Sequence, residues 1–350
     1  MTGPAGGDCH AVRGLAGPRA EKSVALALQG GGAHGAFTWG VLDAILEDGR
    51  LAVEAITGAS AGAMNAVVLV EGWTEGGVDG ARAGLETFWR RISLDGSLTA
   101  VQRGLFDRFF GYWSGRPWGD LVARVASPYE TNPLNINPLK EALADLIDFG
   151  RVRACESVQL FVAATNVWTG KIAVFERPAL TADHLMASAC LPTVFQAVEI
   201  EGVPYWDGGY LGNPPLYPLY YQTVTDDVLL VQINPVERRE TPRSAQGIHD
   251  RLNEITFNGN LLRELRGIDF VTRLIEEGKL TDDRYKRVLM HRIDGAGALD
   301  AYAASSRLNA EWDFFVRLRD AGRAAAQAWL GQHYASVGRE ATLDLRAAYR

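Results

Sequence analysis

Ser60 lies between two glycines in Gly58-Ala59-Ser60-Ala61-Gly62. That spacing, G-x-S-x-G, is the pattern of a nucleophile elbow, in which a serine sits on a tight strand-to-helix turn and a larger neighbour would strike adjacent backbone. A helix starting just after the serine aims its N-terminus at it and favours negative charge developing there. The same five residues also read as an ordinary glycine turn with an incidental serine. A serine hydroxyl is a weak nucleophile at neutral pH and needs a base. Six histidines are present (His10, His34, His184, His249, His291 and His333), and none has a local setting that marks it as that base. Asp207, in Asp207-Gly208-Gly209, has a setting that suits the task. It follows Tyr205-Trp206 and enters a double-glycine turn, where partial burial would raise its pKa and its basicity. Asp-Gly is also a common turn pair, and taken by itself that is the simpler reading.

A third group is Gly30-Gly31-Gly32-Ala33-His34-Gly35. Successive glycines between a strand and a helix let backbone N–H groups face a small anion, either a phosphate or the oxyanion of a tetrahedral intermediate. Gly30-x-Gly32-x-x-Gly35 also fits the dinucleotide fingerprint, which expects an acid about 20 residues on, at the end of the second strand. Glu54 stands at that distance but inside the second strand candidate, which ends in the serine turn instead. No Gly-Lys-Ser/Thr follows, so a P-loop is excluded.

These groups need elements to hold them. Ser23–Gln29 reads as a buried strand, Ala36–Asp48 as a helix stopped by Gly49, Val53–Thr57 as a second strand, and Ala63–Val70 as a helix closing near Gly72. Two strand–glycine turn–helix units in succession imply an α/β fold with a mostly parallel sheet flanked by helices and ligands at the carboxyl ends of its strands. The elbow follows only two strands, earlier than in a standard Ser-His-Asp hydrolase. Val158–Thr165, Lys171–Phe175, Gly202–Trp206 and Val228–Ile233 are further strand candidates. Pro138–Leu146 and Asp183–Ala189 read as short helices, and Pro128–Pro138 as coil because of its prolines. The aromatic stretch Phe106–Trp118 suits core packing, or an acyl-chain cleft. Ile255, Leu261, Leu262, Leu265, Ile268, Val271 and Ile275 trace one helix face, and Leu308, Trp312, Phe315, Leu318, Ala325 and Trp329 another. The expected organisation is a flexible leader over 1–22, a catalytic domain over 23–235, and a helical extension over 236–350 packed on the same domain.

Composition narrows the classes. The 350 residues carry 35 basic and 42 acidic side chains, net −7, with 47% hydrophobic and 22% charged residues. This is globular composition, without an apolar run long enough to cross a membrane. Its acidic balance argues against non-specific nucleic-acid binding. Cys9, Cys155 and Cys190 are too few and too scattered for a disulfide framework or a cysteine zinc site. No metal-ligand cluster is visible, and no secretory signal. There are 38 glycines, about 11% against a usual level near 7%, and the chemistry-bearing groups draw on them.

The order of the three groups resembles the patatin-like phospholipase family, which has a Gly-Gly-Gly-x-x-Gly loop after its first strand, G-x-S-x-G after its second, and a later Asp-Gly-Gly. Ala187-Ser188-Ala189-Cys190-Leu191-Pro192-Thr193-Val194-Phe195 is similar to the family's Ala-Ser-x-x-x-Pro-x-x-Phe stretch. The resemblance covers about residues 23–235 and implies a three-layer αβα fold and a lipid acyl hydrolase with a Ser/Asp dyad in place of a triad. It makes Ser60 the nucleophile and Asp207 the base. The N–H groups of Gly31 and Gly32, with Gly30 and Ala33 beside them, become the oxyanion hole, and Gly35, Gly58, Gly62, Gly208 and Gly209 support the turns. It implies an acyl lipid as substrate, no cofactor, no nucleic acid, and a cytoplasmic protein in transient contact with a membrane surface. The family often carries Arg or Lys at the position of His34. That histidine is expected to serve the loop locally, with a role as base the alternative.

Overall fold

The computed structural model describes residues 13–93 and 127–349, apart from 134, 136, 283, 296, 300, 301, 303–305, 307 and 308. The stretch Phe106–Trp118, Cys9 and His10 lie outside the described residues. Strand β1 (Lys22–Leu28) leads through a 3-10 turn, Gly32–His34, into helix α1 (Gly35–Asp48). Strand β2 (Leu51–Ala59) leads into α2 (Ala61–Arg91). There follow α3 (Pro128–Thr131), α4 (Pro138–Leu146), α5 (Phe149–Ala154), β3 (Gln159–Asn166), β4 (Ile172–Glu176) and α6 (Ala182–Ser188). Then come β5 (Val198–Ile200), β6 (Val203–Asp207), α7 (Tyr217–Gln222), β7 (Asp227–Gln232), α8 (Ala245–Glu276), β8 (Leu289–Asp294), α9 (Trp312–His333) and α10 (Leu345–Tyr349).

The eight described strands form one sheet in the order β5-β6-β3-β2-β1-β7-β8, with β4 also on β3. The strands from β3 to β8 in that order pair in parallel, whereas β4, β5 and β6 are antiparallel, so the sheet is mixed. Val24, Leu26 and Leu28 of β1 enter one apolar cluster, with α1, α2 and α9, while Ala25 and Ala27 enter another, with α7 and α8. Successive strand side chains point to opposite faces, so a central sheet buried on both sides makes three layers, αβα. Among the described residues no helix is long and apolar enough to cross a membrane.

Five expectations change. Order begins before Ser23: Leu15 is buried, and its N–H and C=O pair with Val53 across an antiparallel bridge, because an apolar side chain next to an open backbone edge gains by docking there. The segment after 235 is not only helical, since β8 completes the sheet edge beside β7. Pro128 opens a one-turn helix, where its missing N–H costs nothing at the first position. α2 continues past Gly72 through a break at Gly76 and Gly77. Ile255, assigned to a packed helix face, is exposed.

α9 lies on α1 at very short range. A Cβ at Gly40 would strike the carbonyl oxygen of Arg319, and one at Gly322 the carbonyl oxygen of Phe37. Arg323 of α9 also pairs with Asp43 and Glu47 of α1. A methyl at either glycine forces the helices apart, so Gly40→Ala and Gly322→Ala are expected to lose about 1–3 kcal/mol by overpacking. Gly331 of α9 faces open space, and Gly331→Ala is expected to gain up to about 1 kcal/mol from helix propensity. Urea unfolding midpoints of the three variants check these opposite signs.

Candidate active site

β2 ends at Ala59 and α2 begins at Ala61, so Ser60 occupies the whole turn. Its backbone has φ 50° and ψ −125°, a region that costs a non-glycine residue about 1–3 kcal/mol. The flanking glycines explain how the turn closes. A Cβ at Gly62 would collide with the carbonyl oxygen of Leu28 at the end of β1, and one at Gly58 would fall 2.7 Å from the N of Ala63. The Ser60 N–H donates to Ser188 Oγ at 2.9 Å, which ties the elbow to the end of α6.

Asp207 reaches the same place through the sheet register. Ala59, just before Ser60, pairs with Ala163 of β3. Asp207 pairs with Ala164, the next residue along. β4 occupies the other edge of β3 over Phe161–Thr165, so β6 takes over the edge of β3 that β2 leaves, and Asp207 lies directly beyond the elbow. Asp207 is 1% exposed. Its N–H donates to the Cys190 carbonyl at 2.8 Å, and its own carbonyl accepts from Thr165 Oγ1 at 2.8 Å. Carboxylate Oδ1 accepts the Gly209 N–H at 2.7 Å. Oδ2 is buried and makes no hydrogen bond of ordinary geometry. Burial pushes the carboxyl up to about 7, against the opposing pull of the Gly209 N–H and of the nearby Ser60 hydroxyl. Catalytic hydrogen bonds are often long before substrate arrives. A serine hydroxyl beside a carboxylate with one open oxygen and a pKa near neutrality has a ready proton acceptor.

The glycine loop abuts this pair. A Cβ at Gly30 would fall 2.6 Å from the Ala59 carbonyl oxygen and 2.8 Å from Ser60 Cβ, and one at Gly35 would fall 2.6 Å from Ala61 Cβ. Gly32 has φ 58°, in the left-handed region. Among the described residues the N–H groups of Gly31 and Gly32 make no hydrogen bond. The Gly30 N–H differs: it donates to Asn213 Oδ1 at 2.6 Å. The expectation that Gly30 contributes to an oxyanion hole is therefore corrected, because its donor is already engaged. Ala33 lies in the following 3-10 turn with its methyl buried. Gly208 passes so close to the Ala163 carbonyl that a side chain would collide, and Gly209 is capped by the ring of Phe257.

Other residues singled out in the sequence go elsewhere. His34 Nε2 is 2.7 Å from Ser306 Oγ, and its ring lies near those of Tyr302 and Phe314, all distant in sequence. Glu54 accepts the N–H groups of Val224 and Thr225 at 2.6 and 2.9 Å, which leaves the dinucleotide fingerprint without its acid. His291 is buried against Asp227, the first residue of β7, at the opposite end of the strands. Ser188 and Asn213 touch the site and were not assigned to it from the sequence. Ser188 stands inside the Ala187–Phe195 stretch, which could have pointed to it; Asn213 has no short-range signal.

No curated protein matches the chain. Several solved structures are similar to it, two of which are these. VipD from Legionella pneumophila is 17% identical, with 88% of this chain and 68% of that chain covered and a TM-score of 0.39. Full-length ExoU, in complex with full-length SpcU from the type III secretion system of Pseudomonas aeruginosa, is 16% identical, with 100% and 84% covered and a TM-score of 0.31. The family model of the patatin-like phospholipases matches residues 26–220, more than half of the chain and including the serine turn, the glycine loop and Asp207. The chain belongs to the patatin-like phospholipase family, at whose level its activity is that of a lipid acyl hydrolase.

Proposed function

We propose that the protein cleaves carboxylic ester bonds of phospholipids or lysophospholipids through an acyl-Ser60 intermediate, with Asp207 as the base. The observation that carries this reading is the open, buried Oδ2 of Asp207 beside the Ser60 hydroxyl on its strained turn. Oδ2 takes the Ser60 proton as Oγ attacks the ester carbonyl. The carbonyl oxygen becomes an oxyanion held by the N–H groups of Gly31 and Gly32, donors that cost no reorganisation when charge develops. Collapse breaks the ester bond, and the leaving alcohol takes the proton from Asp207. Water then attacks the acyl-serine and gives a proton to Asp207, and the second tetrahedral intermediate releases the fatty acid as Ser60 recovers its proton. The chain's own part is to hold the nucleophile, receive the proton and bind the oxyanion.

A panel of phospholipids, lysophospholipids, neutral lipids and a soluble ester, read by mass spectrometry, tests the substrate class. Wild-type protein is expected to release fatty acid and to react with a fluorophosphonate probe, while Ser60→Ala does neither. Full activity in Ser60→Ala sinks the acyl-serine, and a wild type inert to every lipid and to the probe sinks the hydrolase. Asp207→Asn keeps the shape but loses the base, and is expected to lose about 10³-fold or more in kcat.

The raised pKa has two further consequences. The ionised carboxylate is the base, so kcat/KM for the soluble ester is expected to rise with pH and level off above about 7. A flat profile between pH 5 and 8 contradicts the assignment. Stability moves the other way. The native carboxyl keeps its proton up to about 7, whereas an unfolded aspartate loses it near 3.9. Wild-type stability should therefore fall between those values and stay low above them, relative to Asp207→Asn, which has no such titration. Thermal midpoints are expected to favour Asp207→Asn more at pH 8 than at pH 4.

A further inference from the structure

Behind the glycine loop lie four side-chain amides, Gln29, Asn213, Asn234 and Asn258, each at most 3% exposed. Two of them, Asn213 and Asn234, bond the backbone of Gly30, and Gln29 and Asn258 stand behind them. Asn213 Oδ1 accepts the Gly30 N–H at 2.6 Å, and Asn213 Nδ2 donates to the Gly30 carbonyl at 3.3 Å. Asn234 Nδ2 donates to the same carbonyl at 2.7 Å. Gln29 Oε1 accepts from the backbone N–H groups of Ile233 and Asn234, both at 2.9 Å, and Gln29 Nε2 donates to the Asn213 carbonyl and to Asn258 Oδ1, both at 3.2 Å. Gly30 is thus held on both its donor and its acceptor.

The grip is placed where direction matters. Gly30 is the last residue before Gly31 and Gly32, whose N–H groups carry the proposed oxyanion role. No side chain of its own steers the loop, because a Cβ at Gly30 would strike Ala59 and Ser60. Asn213 also stands six residues after Asp207, on the segment that leaves the proposed base. A free glycine segment samples many backbone directions, and buried amide bonds to both the N–H and the carbonyl of Gly30 fix one.

Resting on the hydrolase reading above, we propose that Asn213 is a positioning residue. Its amide grips the backbone on both sides of the Gly30 Cα and sets the direction of the Gly31 and Gly32 N–H groups, with Asn234 as a second hold on the carbonyl. Asn213 does not touch the reacting atoms; it acts through the loop.

The test measures kcat and KM on a soluble ester, and the inhibition constant of a trifluoromethyl ketone. Such a ketone adds to a serine and forms an oxyanion in the place of the tetrahedral intermediate. Loss of loop direction is felt by the oxyanion and not by the ground-state ester. Asn213→Ala is therefore expected to lose about 10²-fold in kcat with KM changed by less than about threefold, and to bind the ketone more weakly by a factor similar to the kcat loss. Asn234→Ala is expected to show the same pairing of effects at smaller size. If Asn213→Ala gives no cooperative melt, Asn234→Ala decides alone. A folded variant with wild-type kcat overturns the proposal, and so does a fall in kcat that leaves ketone binding unchanged, since that places the damage outside the oxyanion site. A wild type that neither hydrolyses the ester nor binds the ketone through Ser60 overturns the hydrolase reading, and the positioning role with it.

Discussion

A carboxyl group buried to 1% exposure with one oxygen unpaired is an expensive thing to build, and the structure around Ser60 is arranged to hold it. Water would solvate the charge and lower the pKa; burial keeps it up. Four neighbours close the space: the edge of β3, the Cys190 carbonyl, the Gly209 turn and the Ser60 elbow. None of these is a charged partner. A cation beside Asp207 would stabilise the carboxylate and make it a poorer base, whereas one N–H bond to Oδ1 orients the group while leaving Oδ2 open. Two other buried acidic residues, Asp43 and Glu254, behave differently. Asp43 pairs with Arg82 and Arg323, and Glu254 with Arg238 and Arg251, as buried carboxylates with structural duties do.

The placement of Asp207 against Ser60 depends on the mixed sheet. A purely parallel sheet would carry β2 and its successor side by side for their full length. Here β2 stops at Ala59 and the antiparallel β6 takes over the same edge of β3 one residue later. Two strand ends therefore meet head-on in the plane of the sheet, one bringing Ser60 and one bringing Asp207. The handover also explains the glycines on both sides. Gly62 must pass β1, and Gly208 must pass β3, at distances that leave no room for a Cβ.

Local signals in the sequence reached as far as local physics does. The elbow, the glycine loop and the Asp-Gly-Gly turn are each set by steric demands within a few residues, so Ser60 stands out locally, while Asp207, Gly31 and Gly32 are candidates only through the order of the three motifs and the resemblance that order carries. The parallel core was legible for the same reason, since apolar runs between glycine turns specify buried strands. What could not be read were pairings across long separations. Nothing near Asn213 marks it as the partner of Gly30, 183 residues away, so the engagement of the Gly30 N–H is not legible in the sequence. β8 is not legible in the sequence because Leu289–Asp294 mixes charged and apolar residues as a sheet-edge strand does. Leu15 looked like part of a loose leader because its pairing with Val53 is likewise non-local.

The region after residue 235 takes part in the same site. The family match ends at residue 220, yet the turn that holds Asp207 is covered from α8. The Phe257 ring lies against Gly209 and Tyr210, Asn260 donates to the Tyr210 carbonyl, and Asn258 joins Gln29 behind the glycine loop. α8 therefore supplies part of the low-dielectric wall that sets the Asp207 pKa and part of the amide frame that holds Gly30. α9 seats the helix following that loop, through Gly40 and Gly322. A strained serine and a buried carboxylate both work against folding, by about 1–3 kcal/mol for the backbone of Ser60 alone. Packing from α8 and α9 works against costs of that kind.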